Sequence, residues 1–249
     1  MKLSKVMSLL SVAVLGVTLS ACGNSSKPSK PKTELSGIKK NYSASGFYNN
    51  IKGTTEKNAK VTYYINNQNP KAVKVKGNGT FWINVVDQSH TQKIRVLSQK
   101  KGKQTASKSA KISAAKPIAD YLEFQPKYNR MLKDIDSSLQ NEIPSNYKTG
   151  LHTLANSGGT EVRGNIDNEG KLLSVSISNL NKKGISEASG DAISAASALK
   201  INPNNVTRSM KQARASDNLT GKSTEKEITT KVEDLHPIYV FSFNSLSEK

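Results

Sequence analysis

The chain of 249 residues contains one cysteine, Cys22, and three histidines, His90, His152 and His236. One thiol can neither form an internal disulfide framework nor supply a multi-cysteine zinc site. The histidines lie far apart and lack metal-ligand spacing. There is no Gly-x-Ser-x-Gly elbow and no phosphate-binding loop. Asp134 and Asp136 stand two apart on an expected helix, so they do not share a face and read as solvated charges. These absences leave no expected metal, cofactor or catalytic group. The only long apolar run, "VMSLLSVAVLGVTL" at 6–19, has 14 residues, too few for a hydrocarbon core that needs about 20.

That run follows Lys2 and Lys5 and has the proportions of a secretory signal. It ends in Leu19-Ser20-Ala21-Cys22. Its residues also fit an ordinary secretory signal or a short uncleaved anchor. The tetrapeptide resembles the lipobox of bacterial lipoproteins. The resemblance implies that residues 1–21 are removed, that the Cys22 thiol carries diacylglycerol, and that the protein sits on the extracellular face of the cell membrane. Two acyl chains, at about 0.8 kcal/mol per buried CH₂, form a durable anchor. The stretch that follows, with Pro28 and Pro31, has no apolar periodicity. Residues 22–44 therefore read as a disordered basic tether reaching into a Gram-positive wall.

Acidic residues are scarce in one half only. Residues 23–119 hold 19 Lys and Arg against Glu34, Glu56 and Asp87, a net of +16. Residues 120–249 hold 16 of each sign. A boundary near 115–119 follows, between a module at 45–115 and another at 116–249. The first reads as all-β. Val61, Tyr63 and Ile65 alternate, as do Val73 and Val75, then Phe81, Ile83 and Val85, then Ile94 and Val96. Ala110 and Ile112 close the sheet, and Gly77-Asn78-Gly79 is a hairpin signal. Strands recurring about every ten residues favour a sandwich.

Gly53-Thr54, Ala59-Lys60-Val61 and Gly77-Asn78-Gly79-Thr80-Phe81 stand in the order found in bacterial Ig-like domains of secreted wall proteins. Residues 45–115 resemble that family, which implies an Ig-like sandwich acting as a spacer or adhesion module.

Residues 116–249 read as a small α+β domain with an antiparallel sheet and helices on one side. Pro126 is expected at the first position of a helix in which Tyr128, Met131 or Leu132, Ile135 and Leu139 keep helical spacing. A hairpin is expected to turn at "DNEG", with Leu173, Val175 and Ile177 inward. Ile185, Ala188, Ala192, Ala196 and Leu199 form a stripe of small residues. A second helix is expected with Asn202 as N-cap, Pro203 at N1, and Val206, Met210 and Ala213 buried. Two strands end the chain, the last with Tyr239, Phe241 and Phe243 on one face. His236, before Pro237, reads as a turn residue.

Two features of the basic module bear on function. The first is charge: Lys71, Lys74, Lys76 and Lys93, then Arg95, Lys100, Lys101 and Lys103. They are candidates for attraction to teichoic acid, anionic lipid headgroups or incoming DNA. A solvated surface that aids solubility is the plainer alternative. Arg95 alone among lysines disfavours bidentate readout, hence sequence-specific nucleic-acid binding. The second is Tyr64 and Trp82, each of opposite parity to its strand's inward residues. Both are expected outward, as an aromatic pair for sugars or bases or as cover for the second domain. The expectation is a non-enzymatic, lipid-anchored envelope protein whose C-terminal domain meets a protein partner. An enzyme or enzyme inhibitor in the C-terminal domain, or a prophage-type exclusion lipoprotein, is the alternative.

Overall fold

Alternation of apolar and polar side chains builds the strands of the first half. The computed structural model describes residues 32–42, 46–135 and 141–245. The strands are β1 (Leu35–Tyr42), β2 (Tyr48–Thr55), β3 (Lys60–Ile65), β4 (Lys71–Val73), β5 (Thr80–Val86), β6 (Gln92–Gln99) and β7 (Ala106–Ile112). They form two antiparallel sheets, ordered β1-β2-β5 and β4-β3-β6-β7. Ile51, Val61, Phe81, Ile83, Val85, Ile94 and Val96 fill the space between the sheets. Each such burial contributes about 1.5–3 kcal/mol. The Gly77-Asn78-Gly79 turn forms, with the Gly79 amide donating to Lys76 O at 2.8 Å. It joins strands of opposite sheets rather than a full hairpin, with a single bridge from Val75 to Phe81. Gly79 has φ +82°, and a Cβ there would stand 2.0 Å from Thr55 O. That contact pins the turn under the end of β2.

The tether expected over residues 22–44 is not what forms at Leu35–Tyr42, which is a strand. β1 pairs with β2 from Leu35 to Tyr42. A bulge between Ser36 and Lys39 lets both Leu35 and Ile38 pack on the core. The bulge breaks the period of two that would have marked the strand. Cys22 and the lipobox lie outside the described residues.

The second half holds β8 (Ala119–Asp120), α1 (Tyr121–Ile135), β9 (Gly150–Ser157), β10 (Thr160–Ile166) and β11 (Lys171–Asn179). Then come α2 (Ile185–Ala198), α3 (Asn204–Ala215), β12 (Thr220–Glu225), β13 (Ile228–Asp234) and β14 (Tyr239–Ser245). The sheet runs β12-β13-β14-β11-β10-β9, with β8 beside β11. Helix followed by three-stranded meander thus occurs twice, and the two meanders meet through β11 and β14. Tyr239, Phe241 and Phe243 face the helices with Val175, Ile177 and the α2 stripe Ala188, Ala192 and Ala196. α3 packs directly on β12: a Cβ on Gly221 would stand 1.8 Å from Ser209 O.

Three local expectations are corrected. Pro126 lies inside α1, which starts at Tyr121 behind Asp120, whose Oδ1 accepts from Leu122 N at 2.9 Å. Burial of Tyr121 and Phe124, with Tyr128 and Leu132 further along, outweighs the backbone bond Pro126 removes. Ile135 is 45% exposed rather than buried, and Leu139 and Asp136 lie outside the described residues. In β11 a bulge places Leu172 in the helix-side core, whereas Leu173 is buried on the other side, beside Asp87 and Ala115. Ahead of α3, Asn202 Oδ1 accepts from Asn204 N at 2.9 Å, but the helix begins at Asn204 with Pro203 in the N-cap position, one residue later than expected.

The two cores share no residue, yet Pro31–Lys249 is one compact unit. They meet at the outer face of the large sheet. There Arg163 pairs in register with Ser176, and Ser176 with Ser242; Asn165 pairs with Ser174, and Ser174 with Asn244. Ser174, Ser176 and Ser242 are buried. The fully buried Phe47 lies under the Arg163 guanidinium, 5.6 Å from its ring centre. The Asn165 amide donates to Asp87 O at 2.8 Å. Asn49 Nδ2 donates to the buried Asp87 carboxyl, which burial pushes up to about 7.

A second buried acid lies between α1 and α2. Asp191 Oδ2 accepts from Asn141 Nδ2 at 2.8 Å. The buried Tyr128 hydroxyl faces the same carboxyl and, like Asn141, favours its ionised form. Burial pushes the Asp191 carboxyl up to about 7, with Asn141 opposing. A folded pKa above the ordinary 3.8 means stability present below that value and lost as pH rises through about 7. Asp191→Asn should therefore melt above the parent at pH 8. Its stability should be flatter between pH 4 and 7, by up to about 1.4 kcal/mol per pH unit. Denaturant unfolding across that range checks this, and parallel profiles for parent and variant would count against it.

Candidate polyanion-binding surface

The strand registers give the sandwich two chemically different ends. Leu35 lies opposite Thr55, Thr54 opposite Thr80, Lys60 opposite Gln99 and Ser98 opposite Ala106. The Thr55 and Ser98 hydroxyls, 2.6 Å apart, join the two sheets at this level. One end therefore carries the β2–β3, β4–β5 and β6–β7 connections and the start of β1. The other end carries Phe47, Asp87 and the segment after β7, and it meets the large sheet.

The first end is rich in lysine. Lys57, Lys60, Lys74, Lys76 and Lys101 are exposed there, and none forms an ion pair among the described residues. Lys100 and Lys103, also expected to be free for a ligand, are not. Their ammonium groups each lie 2.7 Å from the Glu56 carboxylate, which is largely covered. Glu56 also accepts from Glu34 N at 3.1 Å, so it ties the start of β1 to the β2–β3 and β6–β7 turns. Lys100 and Lys103 hold its carboxyl down at about 2. Two of the eight candidate cations thus serve the fold.

The remaining candidates are dispersed. Lys71 is exposed on β4, the edge strand of its sheet, where lysine discourages pairing with another chain. Lys93 stands opposite Lys111 on the outer face of the four-stranded sheet. Arg95 lies over the Tyr64 ring, 4.6 Å from its centre, and Tyr64 is half-buried beneath it.

Tyr64 and Trp82 do not form a pair. Both point outward as expected, but from opposite sheets: Tyr64 opposite Arg95 on β6, Trp82 opposite Lys52 on β2. Trp82 is 40% exposed. Lys76 Nζ lies 4.4 Å and Lys52 Nζ 5.7 Å from its ring centre. This Trp82–Lys52–Lys76 group borders the lysine end. An indole flanked by two ammonium groups can stack on a ring or lie at an interface while the cations meet phosphate. Lys52, Lys57 and Lys60 were not singled out in the sequence; only strand register places them here.

The histidines are separate. His90 is exposed after β5. His152 Nε2 lies 2.6 Å from Thr149 O, and the His236 amide donates to Asp234 Oδ1 at 3.2 Å. Among the described residues no three His, Cys, Asp or Glu side chains converge in a metal site.

Glu56 yields a pH prediction. A depressed carboxyl pKa stabilises the fold above the ordinary 4.5, and that stability is lost as pH falls toward about 2. Glu56→Gln should remove this share of the acid limb, so parent and variant should converge below pH 3. Melting curves from pH 7 to 2 read the difference, and one that does not vary with pH would refute the role given to Glu56. The chain matches no known family model, and no curated protein is similar to it in sequence, so a functional reading rests on the chemistry of this surface.

Proposed function

We propose that the protein is a non-enzymatic lipoprotein of the bacterial cell membrane, anchored through Cys22 with its folded part on the extracellular face. Its basic β module, at 45–115 with β1 added, binds anionic polymers or lipids of the envelope. Its α+β module, at 116–249, is presented to a protein partner. The observation that carries this reading is the group of five exposed lysines at one end of the sandwich that form no ion pair among the described residues. The α+β module, by contrast, balances its charges. The partition β1-β2-β5 against β4-β3-β6-β7 supports the Ig-like assignment, since it corresponds to strands A-B-E against C′-C-F-G. Diffuse lysine attraction needs no base-specific contact, so the ligand is a polyanion of repeating charge.

Two arms of one experiment test it. In cells, Cys22→Ala should leave an unprocessed precursor or a protein shed into the medium. Retention of this variant on membranes after a high-salt wash would exclude lipid as the anchor. In solution, the chain from residue 22 onward with Cys22→Ser should bind poly(glycerol phosphate) or anionic vesicles at about 50 mM salt. Binding should fall steeply toward about 300 mM. If every polyanion is ignored at low salt, the charge serves solubility alone.

A further inference from the structure

We infer that the lysine end of the sandwich docks on anionic lipid headgroups, with Trp82 at the lipid–water interface and the α+β module held away from the membrane. The inference rests on the lipoprotein reading and adds an orientation and a ligand to it. Chain geometry limits the choice of surface. The described chain begins at Lys32, and Thr33 bonds to Gln104 O through both its amide, at 2.9 Å, and its hydroxyl, at 2.7 Å. Gln104 follows the Lys100–Lys103 turn, so the chain leaves toward Cys22 from the lysine end. Nine residues lie between Cys22 and Lys32, and the ten chain steps reach at most about 35 Å. The opposite end lies one strand further on, and an eight-residue strand such as β2 spans about 27 Å. That distance is within reach, but the opposite end is covered by the large sheet, so of the two ends only the lysine end is both close to the anchor and free.

Charge supports the same face. Lysines near an anionic leaflet contribute when they come within a Debye length, about 8–10 Å at physiological salt. Lys57, Lys74 and Lys101 lie in the three turns of this end, and only Glu34 and Glu56 oppose them locally. Glu56 is already neutralised by Lys100 and Lys103. Trp82 is two residues into β5 from Thr80, about 7 Å from the turn level. An exposed indole flanked by Lys52 and Lys76 suits the headgroup region, where tryptophan is enriched. The two acyl chains at Cys22 already make attachment durable, so the basic patch adds an orientation rather than the anchor.

Trp82 is the only tryptophan in the chain, so its fluorescence reports on this surface alone. The polypeptide from residue 22 onward, with Cys22→Ser, is mixed with phosphatidylcholine vesicles with or without phosphatidylglycerol at about 50 mM salt. Docking predicts sedimentation with the anionic vesicles only, a blue shift of Trp82 emission, and protection from aqueous quenchers. A triple variant, Lys57→Gln, Lys74→Gln and Lys101→Gln, should lower vesicle partitioning by roughly a hundredfold, since each lysine at an anionic surface is worth about fivefold. A second triple with the same loss of charge, Lys93→Gln, Arg95→Gln and Lys111→Gln, should lower it only a few-fold. Unchanged far-UV circular dichroism and melting temperature confirm that both variants fold. Equal loss in the two triples would overturn the docking end in favour of net charge. Sedimentation without a Trp82 response would overturn the orientation. Binding to poly(glycerol phosphate) but not to anionic vesicles would overturn the lipid ligand and leave the polyanion reading intact, whereas no binding to either would remove both.

Discussion

An antiparallel sheet that buries one face against helices must still dispose of the other, and in this protein that second face is where two cores meet. The large sheet presents Ser174, Ser176, Ser242, Asn244 and Asn165 in register on its outer side. Such a row is too polar to merge with a hydrophobic core. The sandwich therefore docks on it through few groups: Phe47 under Arg163, and the Asp87 carbonyl and carboxyl held by Asn165 and Asn49. Two buried hydrophobic clusters persist side by side, and the contact between them combines hydrogen bonds with the Phe47 ring and the buried Leu173 side chain. The rest of the arrangement follows from it. Once one end of the sandwich is committed to the sheet, the other end, with its lysine turns and the start of β1, is left outward.

Charge is distributed to match. The β module has very few carboxylates, and the described ones have defined places: Glu56 closes the lysine end, Asp87 is buried at the contact with the sheet, and Glu34 is exposed beside Glu56. The same residue type thus has opposite proton affinities at the two ends. Paired lysines hold Glu56 at about 2, whereas burial raises Asp87 to about 7. Acid weakens the lysine end as pH falls from 4.5 toward about 2, and a rise from 3.8 through about 7 weakens the contact with the sheet.

The sequence was most legible where a period of two or 3.6 runs undisturbed. Phe81, Ile83 and Val85 inward, Trp82 outward, the alanine stripe of α2 and the aromatic face of β14 all follow from spacing alone. Legibility failed at β-bulges and helix starts. The bulge in β1 brings Leu35 and Ile38 to the same face despite their odd separation, and the bulge in β11 exchanges Leu173 for Leu172. Pro126 suggested a helix start because its ring suits the first turn, but aromatic burial upstream carried the helix across it. β9 and β12 carry little alternation of their own, and they enter the sheet because their neighbours offer unpaired backbone groups.

For the candidate surface, the sequence by itself determined that the first half is strongly basic, that its cations are lysines except Arg95, and that Cys22 follows an apolar run. These are sums and local patterns, independent of folding. Which lysines act together was decided only by tertiary structure. Strand register set Lys52 opposite Trp82, loop packing brought Lys76 over the same ring, and a long-range ion pair withdrew Lys100 and Lys103 by giving them to Glu56. Those partners lie up to 47 positions apart along the chain. A linear pattern carries no information about distances closed by the pairing of sheets, so the sequence could supply the charge while only the fold could arrange it.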